Sequence, residues 1–186
     1  MNKKVIGIIV AVVVIIAIIV GIVLSKGGNG SSNTSGKGLE LTYDFSHMNN
    51  KVYSIKSKLN SDDKITELEE GETNSARIEN EKENYVLDIT LDTEAKEAYE
   101  QFKTSAKEDN EIFKEVKFGK YEGYYSGDEE DIFGYILLDG SDETFNAYLN
   151  FDLYLYDENI EGNDVQSIYN SSNIQNILNN IEFKSK

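Results

Sequence analysis

The chain has 186 residues, with 34 acidic against 18 basic side chains and a formal charge of −16; it has no cysteine, proline or tryptophan. Only Lys3, Lys4, Lys26 and Lys37 of the basic residues precede Leu39, so the remainder carries 14 positive against 34 negative charges, a net −20. Such a surface repels phosphate backbones and disfavours anionic lipid headgroups, which excludes nucleic acid as a partner, and the lack of cysteine excludes disulfides, thiol nucleophiles and cysteine-type zinc sites.

In chain order, Met1 to Lys4 reads as a short cytoplasmic tail. Val5 to Leu24 is an unbroken apolar run in which 16 of 20 residues are Ile, Val or Leu. At about 1.5 Å per residue it spans about 30 Å, the thickness of a bilayer core, so it is expected to be a transmembrane helix. It exceeds the roughly 7–15 apolar residues of a cleaved signal core, and no A-x-A site follows it; a signal anchor is therefore expected. Lys3, Lys4 and the amino terminus place the N-terminus in the cytoplasm and the rest outside, against Lys26 and Lys37 on the far side. The expected localisation is the cell membrane, single-pass, with an extracytoplasmic C-terminal domain. Residues 25–38, SKGGNGSSNTSGKG, form a Gly/Ser linker with a coil dimension of roughly 20 Å.

Residues 39–186 read as one acidic ectodomain. Apolar alternation predicts strands over 39–45, 85–91 and 145–156, with further strands over 52–59, 65–68, 76–80 and 113–118. In the longest of these, Phe145, Ala147, Leu149, Phe151, Leu153 and Leu155 share one face. Ile132 to Leu138 is nearly continuous in apolar character, as in a strand covered on both sides. Helical spacing of Ala95, Ala98, Tyr99, Phe102 and Ala106 predicts a helix over 93–108, capped by Asp92 or Thr93. A second helix carries Ile174, Ile177, Leu178 and Ile181 after a capping box at Ser172 to Gln175, and a shorter helical turn is expected over 165–169. The fold class is α+β: an antiparallel sheet with two packed α-helices.

The strand Tyr85 to Leu91 running into the helix, the Phe118–Gly123 turn, the paired strands near Ile132 and Phe145, and the closing Ile177–Phe183 segment resemble the PsbP-like α/β/α fold. The resemblance covers most of residues 39–186. It implies a fold, as in membrane-anchored bacterial proteins of unassigned function, and no site.

Candidate chemistry is sparse. His47, the one histidine, lies beside Ser46 with Asp44 nearby, but neighbouring residues on a strand point to opposite faces and do not converge as a triad. Asp157-Glu158-Asn159-Ile160-Glu161-Gly162 has the start of a calcium loop, yet Ile168 stands where the bidentate Glu belongs and Asp164 where an apolar residue does. Asp128 to Asp131 reads as a hydrated acidic turn. Tyr148, Tyr154 and Tyr156, with Tyr121, Tyr124 and Tyr125, form either an exposed contact patch or a second layer beneath a helix; the covered arrangement is preferred. No residue is assigned a catalytic, cofactor or metal role, and no enzymatic activity is expected. The expectation is a non-catalytic interaction module with a protein partner at the cell surface; the alternatives are a calcium or small-ligand binding domain and a carboxylate-dependent hydrolase.

Overall fold

The computed structural model describes residues 38–68, 71–160 and 164–186; the Val5–Leu24 run and nearly all of the linker lie outside them. Among the described residues no helix is long and apolar enough to cross a membrane. They form an α+β domain built on two antiparallel sheets.

The larger sheet has seven strands: β3 (Lys64–Thr66), β4 (Ser75–Asn80), β5 (Tyr85–Ala95), β6 (Ile112–Phe118), β7 (Tyr121–Gly127), β8 (Asp131–Asp139) and β9 (Phe145–Leu155), in the spatial order β3-β4-β5-β9-β8-β7-β6. The second sheet has three: β1 (Leu39–Asp44), β2 (Val52–Ser57) and β10 (Glu182–Ser185), with β2 in the middle. Where the sequence predicts one sheet, there are two. Leu39, Leu41, Tyr53 and Ile55 need a partner for their apolar face and find it on the inner face of the seven-stranded sheet.

The alternation in β9 sets the layers. Ala147, Leu149, Phe151 and Leu153 join Leu87, Ile89, Leu91, Ile132 and Ile136 in the main core, closed by the small sheet and by α3 (Val165–Tyr169) and α4 (Ser172–Asn179). Fully burying each such side chain contributes about 1.5–3 kcal/mol. A short α1 (Ser46–Asn49) links β1 to β2.

On the outer face, α2 (Lys96–Asp109) lays Tyr99 and Ala106 over Tyr124, with Phe113, Phe133, Tyr135 and Leu137 packed around them. The Tyr124 and Tyr135 rings stack at 5.3 Å, and Phe102 stacks on Tyr135 at 6.1 Å. β8 is thus covered on both sides, which explains its nearly continuous apolar character.

Two helix starts differ from expectation. The first helix begins at Lys96 rather than Thr93, because Glu94 and Ala95 still pair with Asn146 and Phe145 of β9; Ala95 occupies the cap position with no side-chain bond. The last helix is capped by Ser171, whose hydroxyl accepts from the Ile174 N–H at 3.4 Å, one residue before the expected capping box. Gln175 instead donates to the Tyr169 carbonyl at 2.8 Å, tying α4 to α3.

Candidate functional site

A groove of about 690 Å³ opens where β1 and β3, the outermost strands of their sheets, line the same space. Its floor is apolar: Leu39, Leu41 and Ala76 are buried there and Ile65 is half-buried. Its rim carries Glu40, Lys56, Lys58, Glu67, Glu72 and Glu182. The size is that of a typical ligand or side-chain pocket.

The hydrogen bonding of β1 determines what this groove offers. In an antiparallel pair, alternate residues turn both main-chain groups toward the partner strand and the others turn both away. Thr42 turns away from β2: its N–H donates to the Thr73 carbonyl at 2.8 Å, and its carbonyl accepts from the Thr73 hydroxyl at 2.9 Å. Glu40, two residues earlier, shares that direction and therefore presents its N–H and carbonyl to the groove. Among the described residues no main-chain partner meets them. The Glu40 carboxylate crosses to Lys56 on β2 at 3.0 Å, which leaves the backbone edge clear.

A polar patch occupies the part of the outer face centred on β4, β5 and β9. Arg77 grips both oxygens of Asp88 at 2.8 Å each, and the Tyr154 hydroxyl donates to the same carboxylate at 3.2 Å. Asp152 lies directly opposite Asp88 in the β5–β9 register. Its pKa is pushed up to about 7, first by water displaced from the crowded sheet surface, then by Asp131 and Asp88, with Arg77 opposing. The side chain keeps solvent contact, so screening leaves the energy involved small. Nearer α2, burial raises Asp92 to about 6 while the Thr93 N–H and the Tyr43 hydroxyl pull it back. Chemically the patch sets a carboxyl of raised pKa opposite a carboxylate already paired with arginine.

The residues singled out by sequence do not converge. His47 is exposed on α1, its ring edge-on to Phe45 at 5.4 Å, and Asp44 accepts from the Ser46 N–H at 2.9 Å. Asp128 is spent on its own turn, accepting from the Glu130 and Asp131 N–H groups at 2.8 and 3.3 Å. Asp157 likewise accepts from Asn159, and residues 161–163 of that loop lie outside the described ones. Among the described residues no group of three or more histidine or carboxylate side chains is placed to hold a metal ion. The tyrosines divide: Tyr121 and Tyr125 face the main core, Tyr124 and Tyr148 are buried on the outer face, Tyr154 is half-buried and Tyr156 is exposed. They make no common patch.

No sequence feature announced the groove. Its signal is positional: Leu39 to Asp44 is the first strand after the linker, with no neighbour required on its other side.

No protein-family profile and no curated protein matches the chain. A crystal structure from Bacteroides thetaiotaomicron VPI-5482, determined at 1.50 Å resolution, aligns with a TM-score of 0.40 at 15% identity over 71% of this chain and 45% of that one. The chain thus spans less than half of that structure, and a likeness at this level carries no argument about function.

Proposed function

We propose that this chain is a membrane-anchored, extracytoplasmic interaction module without catalytic chemistry, and that it receives a partner protein in the groove between β1 and β3. The observation that carries the reading is the main-chain edge at Glu40, which no described residue pairs, above an apolar floor, since an edge strand left open is a template for pairing with another chain. The Val5–Leu24 run and the Gly/Ser linker support the anchored placement. The PsbP-like resemblance belongs to the same proposal; what supports it is that helices lie on both faces of the seven-stranded sheet, with the three-stranded sheet sharing the inner one.

The test is site-specific photocrosslinking in intact cells, with the crosslinker placed at Thr66 in the groove or at Lys82 on the exposed β4–β5 turn. A defined adduct from Thr66 and none from Lys82 is expected. No adduct from Thr66, or the same adduct from both, would overturn the assignment of the groove.

A hydrolytic reading has one observation in its favour, the raised Asp152 opposite Asp88. Arg77 and Tyr154 already occupy the Asp88 oxygens, so that carboxylate is poorly placed as a nucleophile or base.

A further inference from the structure

Building on that reading of the groove, we infer that the partner enters as an extended segment bearing lysine or arginine, which adds as a strand to the free edge of β1 at Glu40. Two independent features converge on this occupant. The first is the main chain. Thr73 closes the β1 edge at Thr42, while among the described residues the stretch from Gly38 to Leu41 stays open over roughly 10 Å, at about 3.3 Å per residue. A short strand laid there gains an acceptor and a donor at Glu40 and sets alternate side chains toward the apolar floor.

The second feature is charge. Lys56 is committed to Glu40 at 3.0 Å, whereas among the described residues Glu67, Glu72 and Glu182 have no basic partner. Lys58 is the opposing charge on the rim. With a net −20 from Leu39 onward, the domain attracts a cationic segment and repels a second copy of itself. Strand addition supplies affinity through the backbone, and the rim carboxylates select the charge of the guest.

The experiment uses the full-length chain in neutral detergent and a fluorescent synthetic peptide that alternates lysine with valine and threonine. Its companions are the same peptide with N-methylated backbone nitrogens and a version with glutamate for lysine. Anisotropy titrations are run on the wild type, Glu40→Pro and Glu40→Gln. Proline removes the groove-facing N–H and breaks no β1–β2 hydrogen bond, because Glu40 faces Lys56 as a pair whose main-chain groups turn away from β2; glutamine keeps it. The expected result is binding of the lysine peptide, weakened about tenfold or more by N-methylation and by Glu40→Pro, and changed only slightly by Glu40→Gln. Binding indifferent to N-methylation overturns strand addition and leaves the groove reading intact. Equal binding of the glutamate peptide overturns the charge argument. No binding of any peptide overturns the inference, while the crosslink from Thr66 decides the groove separately. The N-methylated peptide needs no protein variant, so misfolding of Glu40→Pro cannot mask the answer.

Discussion

Thr73 satisfies the main chain of Thr42 in both directions, accepting from its N–H at 2.8 Å and donating its hydroxyl to its carbonyl at 2.9 Å. This clamp fixes where the open part of β1 ends. Thr73→Val keeps the shape and the backbone bond but deletes the hydroxyl donor. Thr73 is exposed and water can replace it, so the expected loss is at the low end of a hydrogen bond, about 0.5 kcal/mol, in urea denaturation. A loss several times larger would mean that the clamp holds the two sheets together rather than trimming an edge.

Stability is expected to fall as pH rises from about 4 toward 7. Burial pushes the Asp92 carboxyl up to about 6 in the folded protein; Asp152 shifts in the same direction but keeps its solvent contact and contributes little. Unfolded aspartates titrate near about 3.9, so over this window the folded state holds more protons and ionisation favours unfolding. Asp44, Asp142, Asp157 and Asp164 have the opposite sign: hydrogen bonds lower them, and their contribution is lost only as pH falls below the ordinary carboxylate range. The denaturation midpoint should therefore be higher at pH 5 than at pH 7.5. Asp92→Asn should reduce that difference by on the order of 1–2 kcal/mol after allowance for its partial solvation. A midpoint that rises with pH across this range would contradict the assignment.

Tyr124 is fully buried beneath α2, and its hydroxyl has no hydrogen-bond partner among the described residues. A buried, unpaired hydroxyl costs free energy that phenylalanine avoids while keeping the stack on Tyr135. Tyr124→Phe should stabilise the domain by about 1 kcal/mol by chemical denaturation. A destabilisation of similar size would reveal a partner for the hydroxyl.

Gly119 and Gly71 make a matched pair. Both have positive φ, 60° and 85°, but a Cβ at Gly119 would lie 2.5 Å from the Asn179 carbonyl oxygen at the end of α4, whereas none of the described atoms lies within 4 Å at Gly71. The Gly119 N–H also donates to the Asn179 side chain at 2.7 Å. Gly71→Ala should cost about 1 kcal/mol, the left-handed backbone penalty alone. Gly119→Ala should cost at least about 2 kcal/mol, since backbone must also move. Equal costs would show that the β6–β7 turn and α4 are loosely docked.

What was readable in the sequence was local. The even and odd faces of β9 follow from period-two alternation, and the apolar stripe of α4 from helical spacing. β7 was harder: Tyr121-Glu122-Gly123-Tyr124-Tyr125-Ser126-Gly127 has tyrosines on both faces and no alternation, because one face meets the main core and the other meets α2. The end of β5 was missed for a related reason, since Glu94 and Ala95 are held in strand geometry by residues some fifty positions away. β10 has a single apolar residue, Phe183, and owes its existence to β2. The groove belongs to this class of feature. Which strand is left at an edge depends on the pairing order of the whole sheet, and Glu40 carries no mark of it in its own neighbourhood.

The arrangement of the small sheet also has a mechanical consequence. The chain enters at the start of β1 and leaves at the end of β10, and both strands run antiparallel to β2 between them. Tension applied at those two points pulls β1 and β10 in opposite directions along their own axes. Both ladders are then loaded in shear, with their hydrogen bonds sharing the force instead of opening one at a time. A domain held at one end and pulled at the other would resist through the sheet that forms its open groove.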